Sequence, residues 1–207
     1  MLVKICGLKR KQDVLFCDTV GADFIGFIFV KESPRFVKNP KIFSDLRTKA
    51  KKVAVFMNQE EINFELFSSF DFIQFHGFEK KEVILAAKEK NFGIIKTIFP
   101  DLPESLKLCE KIADLVDFFL VDSSSKLKSQ PGKFDEHSLI SILYNGKIFG
   151  KEFFLSGGIN PENVIFYIER IKPFGIDVSS GVEIRPGVKS RKKIVKLIKA
   201  VNKNLGP

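Results

Sequence analysis

The sequence predicts a (βα)8 TIM barrel, with one domain spanning residues 1–207. Three observations point there. Eight short runs rich in Ile, Val and Phe recur along the chain, each followed by a turn signal and then a stretch of helical periodicity. Strands that alternate with helices pair in parallel, because each crossover must carry the chain back before the next strand begins. An open doubly wound sheet, the rival architecture, usually carries a GxGxxG turn after an early strand, and this sequence has none. At 207 residues the chain lies near the lower limit of roughly 200 for a barrel, so the helices must be brief and the connections lean.

The eight runs are residues 3–6, 24–29, 53–57, 72–76, 93–98, 118–122, 153–156 and 176–179. Asn39-Pro40 opens the helix-like segment after the second run, with proline near the first turn, where its missing N–H is not needed. Leu102-Pro103-Glu104 and Asn160-Pro161-Glu162 open two more in the same way. The last segment sets Ile194, Leu197, Ile198 and Val201 at helical spacing. One connection is not lean: residues 123–132 are polar, with three consecutive serines, two lysines and Pro131-Gly132. Such a stretch reads either as a lid or binding loop or as a surface excursion.

A hydrophobic fraction of 44% supplies a sizeable core. Charged residues arrive too early in the first ten positions for a secretory signal, and no run approaches the ~18 uninterrupted apolar residues of a membrane span. A soluble, cytoplasmic protein with no membrane partner is expected. The three cysteines, Cys6, Cys17 and Cys109, are odd in number and lack CxxC spacing, which argues against a disulfide framework and a zinc site. The two histidines, His76 and His137, are too few for a His-rich cluster, so no metal is expected. The net charge of +9 reads as attraction to nucleic acid or a phosphorylated metabolite, or as a solvated lysine surface. Lys49-Ala50-Lys51-Lys52 and Arg191-Lys192-Lys193 abut helical patterns and lack the interleaved aromatics of a single-strand binder; no nucleic-acid partner is expected. The abundant phenylalanine carries no functional reading.

In (βα)8 enzymes the site lies at the C-terminal ends of the strands, so the run ends list the pocket. They supply Cys6, then residues 31–35, then Gln74 and His76, then Asp122, Ser156-Gly157-Gly158, and Asp177 to Gly181. Cys6 acts as a base only as a thiolate, and at an ordinary pKa of about 8.5 only a few per cent is ionised at neutral pH. Lys4 lies on the same strand side. It either raises the thiolate share or pairs with Asp177 on the adjoining eighth strand and is neutralised there. Cys17 and Cys109 fall in helix-like segments and are assigned to the core. Asp122 either faces the pocket as an acid kept protonated by partial desolvation or caps the following loop. Gly157 and Gly158 let a backbone approach an anion closely, and Ser179-Ser180-Gly181 precedes a short helix start that would aim N–H groups outward. The loops after strands seven and eight are where such barrels commonly hold phosphate. The guanidinium of Arg35, after the second run, either forks a carboxylate or stands in solvent.

Lys4-Ile5-Cys6-Gly7-Leu8 resembles the opening of the phosphoribosylanthranilate isomerases of tryptophan biosynthesis. Similar segments follow in order: Gly21-Ala22-Asp23, Ser33-Pro34-Arg35, Gln74-Phe75-His76-Gly77, Leu120-Val121-Asp122-Ser123, Ser156-Gly157-Gly158-Ile159-Asn160-Pro161 and Ile176-Asp177-Val178-Ser179-Ser180-Gly181-Val182-Glu183. The resemblance implies an Amadori rearrangement by general acid–base catalysis without metal or organic cofactor, on a phosphorylated small-molecule substrate. It implies that Cys6 is the general base, Asp122 the general acid, Arg35 the anchor of the anthranilate carboxylate, and Gly157, Gly158, Ser180 and Gly181 the phosphate cradle. Oligomeric state is not implied. The alternatives are another phosphosugar-converting enzyme on this fold, or a basic non-catalytic binding protein derived from it. One stretch departs from the family pattern. Where a glycine-rich turn is usual after the acid, this chain has Ser129-Gln130-Pro131-Gly132. Lost glycines restrict φ and proline removes a donor, so reduced turnover or an altered lid is expected.

Overall fold

The computed structural model describes residues 1–122, 136–144 and 146–203, with backbone alone at 136–138. Eight strands close into a barrel in chain order: β1 (Leu2–Ile5), β2 (Phe24–Ile28), β3 (Lys51–Phe56), β4 (Phe72–Phe75), β5 (Gly93–Ile98), β6 (Phe118–Val121), β7 (Phe153–Leu155) and β8 (Gly175–Val178). Every seam is parallel, and β8 returns to β1 with Lys4 opposite Asp177. All eight predicted runs are strands. Seven of the eight predicted ends, Cys6, Phe29, Met57, His76, Asp122, Ser156 and Ser179, lie one residue past the last strand position. Cys6, His76, Asp122 and Ser156 still donate their N–H to the last carbonyl of a neighbouring strand, at 2.8–3.1 Å. That final rung fixes the rim residues to the sheet.

Alternation along each strand sends every second side chain inward. At the lower end this gives Phe24, Phe72, Phe118 and Phe154. The Phe24 ring lies 5.3 Å from Phe72, 5.3 Å from Phe154 and 6.2 Å from Phe118, edge-on to each, the arrangement aromatic quadrupoles favour. Glycine opposite the large rings makes the packing possible: a Cβ on Gly93 would enter the Phe72 ring, and one on Gly175 the Phe154 ring. Four of the 23 phenylalanines thus form the floor of the barrel.

Among the described residues six α-helices run outside: α1 (Lys11–Thr19), α2 (Lys81–Glu89), α3 (Pro103–Lys111), α4 (Glu136–Ile142), α5 (Val164–Ile171) and α6 (Arg191–Lys203). Pro103 opens α3 as predicted, and α6 buries Ile194, Leu197, Ile198 and Val201. The crossovers after β2 and β3 differ from expectation, carrying only single 3-10 turns, Pro40–Phe43 and Phe64–Phe67. In the first, Asn39 caps the N–H of Lys41, but the Ser44 hydroxyl donates to the Lys41 carbonyl at 2.7 Å, offering the backbone a local alternative to helix. In the second, Phe64, Phe67 and Phe70 are all buried at a spacing of three, the period of a 3-10 turn rather than an α-helix. Residues 160–163 likewise form a turn rather than the first turn of α5. There Asn160 Oδ1 accepts from the N–H groups of Glu162 and Asn163, and Asn163 Oδ1 accepts from that of Asn160.

After β8 a 3-10 turn, Ser180–Val182, leads into a two-stranded antiparallel hairpin, β9 (Glu183–Arg185) and β10 (Val188–Lys189). Among the described residues no helix is long and apolar enough to cross a membrane.

Candidate active site

The upper barrel replaces apolar side chains with polar ones. Lys4 and Cys6 of the first strand, Gln74 and His76 of the fourth, Thr97 of β5, Asp122 after β6, Ser156 after β7 and Asp177 of β8 all occupy inward positions by alternation. Cys6 and Asp122 therefore rise on opposite arcs of one rim, with β7 and β8 between them. Gly26 makes room for the thiol: a Cβ there would sit 2.7 Å from the Cys6 Sγ.

Lys4 is fully buried and donates to Asp177 Oδ1 at 2.9 Å. Burial alone would depress the ammonium, but Asp177, with help from Cys6, raises it above the ordinary lysine value. The Cys6 thiol is also raised. Burial is the main cause and the Asp177 charge adds to it, against the opposing pull of Lys4 and Lys189. Both readings of Lys4 are thus realised at once, and neutralisation wins: Lys4 touches the thiol without making it a thiolate at rest. Cys17 and Cys109 lie in the core as expected, with burial pushing their thiols up to about 12 and about 11.

Asp122 Oδ2 stands 3.6 Å from His76 Nε2, beyond hydrogen-bond length but close enough for charge pairing. The other ring nitrogen, Nδ1, sits 2.9 Å from Thr97 Oγ1 and 3.4 Å from Gln74 Nε2. The ring is held from both sides, with Phe99 edge-on to it at 5.8 Å.

Arg35 is not a solvated side chain. Its Nε and Nη2 donate to the two oxygens of Glu183, at 2.9 and 2.6 Å, and the Glu183 hydrogen bond raises the guanidinium further. The Arg35 stem passes over Gly7, where a Cβ would meet Arg35 Cδ at 2.5 Å. Glu183 also accepts from Lys189 Nζ and from the N–H of Gly187, both at 3.0 Å. Burial works to raise its carboxyl, yet Arg35 and Lys189 hold it below the usual range. Lys189 donates as well to the Ser179 carbonyl at 3.0 Å, so the hairpin is tied to the turn after β8.

Gly157 and Gly158 both adopt left-handed φ, 90° and 69°, conformations that favour glycine. A Cβ on Gly181 would strike the Ile159 carbonyl. The turns after β7 and β8 are therefore in direct contact, and Gly157, Gly158, Ser180 and Gly181 lie on one side of the rim. Ser180 starts a three-residue 3-10 turn rather than an α-helix.

The structure thus brings together most of the predicted residues on one face. Residues 123–135, including Ser123 and the Ser129–Gly132 stretch, lie outside the described residues. Sequence reasoning missed Glu183, Lys189 and Thr97 as members of the site. Glu183 stands in a quoted motif, but nothing local marks it as the partner of a residue 148 positions away.

Comparison with known proteins bears on the same residues. A family model described as N-(5'-phosphoribosyl)anthranilate (PRA) isomerase matches residues 3–200. The chain is 38% identical to an N-(5'-phosphoribosyl)anthranilate isomerase of Aquifex aeolicus over 95% of its own length and 96% of the relative's. It superposes on the crystal structure of phosphoribosyl anthranilate isomerase from Thermotoga maritima with a TM-score of 0.84 at 31% identity, covering 98% of this chain and 99% of that one. A further similar structure is a phosphoribosyl anthranilate isomerase in complex with reduced 1-(o-carboxyphenylamino)-1-deoxyribulose 5-phosphate, with a TM-score of 0.76 at 29% identity, covering 98% of this chain and 100% of that one. A closed eight-stranded barrel, a thiol and a carboxyl group on one rim, and a match that runs almost end to end lead to one assignment: the chain belongs to the N-(5'-phosphoribosyl)anthranilate isomerase family.

Proposed function

We propose that this protein is a cytoplasmic enzyme of tryptophan biosynthesis. It converts N-(5-phosphoribosyl)anthranilate to 1-(2-carboxyphenylamino)-1-deoxyribulose 5-phosphate. The observation that carries the reading is the placement of Cys6 and Asp122, from strands on opposite arcs, at inward rim positions of a barrel whose family is that of these isomerases.

The rearrangement needs one proton delivered and another removed on opposite sides of a sugar. Asp122 gives its proton to the ribose ring oxygen. The C1–O bond breaks, and the nitrogen lone pair closes a C=N bond, leaving a cationic Schiff base. Cys6 then takes the C2 proton, and the C–H electron pair forms the C1=C2 bond of an enolamine. Tautomerisation moves the hydroxyl proton to C1 and leaves the ketone. Cys6 enters this step as a thiolate, its own proton having left to solvent before the sugar covers the rim. Burial disfavours that charged form, and the Schiff-base cation formed beside it offsets the penalty. Gly157, Gly158, Ser180 and Gly181 offer backbone to the phosphate from two touching turns, and Arg35 meets the anthranilate carboxylate. The reaction requires neither metal nor organic cofactor.

The test is an assay with freshly made phosphoribosylanthranilate, following the loss of anthranilate-type fluorescence. Cys6→Ala and Asp122→Asn each abolish turnover while far-UV circular dichroism stays that of wild type. Retention of most activity in either variant rejects the assigned role.

A further inference from the structure

We propose that Glu183 is the positioning residue for Arg35, holding its guanidinium at the rim so that the edge not engaged by Glu183 meets the substrate's aromatic carboxylate. The proposal rests on the assignment of Arg35 made above and adds what fixes that residue in place.

The geometry is that of a strut. The Glu183 side chain is 4% exposed and that of Arg35 19%, so the carboxylate is anchored in protein while the cation reaches the opening. Glu183 receives both Arg35 donors, the ammonium of Lys189 and the N–H of Gly187. Bidentate and charge-assisted bonds of this kind fix orientation as well as distance. The anchorage continues behind it. The N–H of Lys189 donates to Asp13 Oδ2, at 3.4 Å, and Asp13 accepts the fork of Arg10 at 2.8 and 2.9 Å. The hairpin is thereby tied to α1. The Lys189 bond to the Ser179 carbonyl ties the same carboxylate to the turn that begins at Ser180. One buried acid thus sets Arg35 in register with the phosphate end of the site. A flexible arginine would have to be ordered by each incoming ligand; a pre-ordered one spends that ordering during folding.

The experiment measures affinity for two ligands. One is reduced 1-(o-carboxyphenylamino)-1-deoxyribulose 5-phosphate; the other is its phenylamino counterpart, which lacks the carboxyl group. Calorimetry is run on wild type, Arg35→Met, Glu183→Gln and the charge-balanced double variant Glu183→Gln/Lys189→Met, the last covering the case in which Glu183→Gln leaves Lys189 unpaired and fails to fold. Wild type prefers the carboxylated ligand by about 10- to 100-fold, the worth of a charge-assisted pair. Arg35→Met brings that preference below about threefold, and both Glu183 variants do the same, while affinity for the phenylamino ligand changes less than about threefold. In steady state the Glu183 variants raise KM more than they lower kcat. A Glu183 of purely structural importance weakens both ligands alike and leaves the preference at the wild-type value; that result overturns the proposal. A preference that survives Arg35→Met instead removes the Arg35 assignment, and this proposal with it.

Discussion

Replacing Asp177 by Asn isolates the electrostatic relation among Lys4, Asp177 and Cys6. Lys4 and Asp177 face each other across the β1–β8 seam, joined at 2.9 Å, and Cys6 lies two residues above Lys4 on the same inward side. Strand spacing near 4.8 Å and a rise of about 3.3 Å per residue put the thiol roughly 8 Å from the Asp177 carboxylate. At an effective dielectric constant of about 20, a unit charge at that distance is worth ~2 kcal/mol, or about 1.5 pH units on the thiol. Asp177→Asn removes the negative charge and frees Lys4 to act on Cys6 alone, so the thiol titrates lower. The assay is the rate of iodoacetamide alkylation of Cys6 against pH, read by peptide mass spectrometry. Cys17 and Cys109, buried and pushed up to about 12 and about 11, do not compete. The midpoint falls by about 1 to 2 units. The same change leaves a fully buried ammonium short of its partner, a cost of about 3 kcal/mol, which lowers the melting temperature by roughly 6–12 °C for a chain of this size. An alkylation midpoint that stays put or rises refutes the idea that Lys4 is shared between the two groups.

Two further outcomes follow from packing and titration. Gly26→Ala puts a Cβ 2.7 Å from the Cys6 Sγ; overpacking of this kind costs about 1–3 kcal/mol, and displacing the thiol lowers kcat at least about tenfold. Unchanged kcat and urea midpoint would show that the strand yields without moving the thiol. Cys17 is raised by burial to about 12, so its contribution is complete below the unfolded thiol value near 8.5–9 and is lost as pH climbs through that window toward 12. Between pH 7 and pH 10 the loss is about 1.4 kcal/mol. Cys17→Ala removes that share of the alkaline slope, whatever its own cost at pH 7, and urea unfolding of both proteins at the two pH values reads it; parallel slopes would count against the assignment.

The strands were legible because a barrel strand is covered on both sides and reads as an apolar run. The rim residues were legible because they end those runs, which is why Cys6 and Asp122 emerge from position alone. The crossovers after β2 and β3 were misjudged, because Asn39-Pro40 signals a helix start and nothing in that signal shows that Ser44 turns back on Lys41. A period of three at Phe64, Phe67 and Phe70 was present to be read. The Glu183 strut was hidden for a different reason. Ion pairs across 148 residues leave no trace in local periodicity and appear only once the β8–α6 connection is folded back over the rim. The competition for Lys4 was correctly framed from strand register, but its outcome depended on burial, which register does not supply.

The floor of interlocked phenyl rings has a consequence for traffic. With Phe24, Phe72, Phe118 and Phe154 wedged together at the far end, the tube is blind and has no rear exit. Whatever enters by the front door departs by it; under the role proposed for Cys6, that includes the hydrogen taken up by its sulfur. While a sugar blocks that doorway the captured hydrogen has nowhere to wash out, so its exchange with bulk water waits on the departure of the guest.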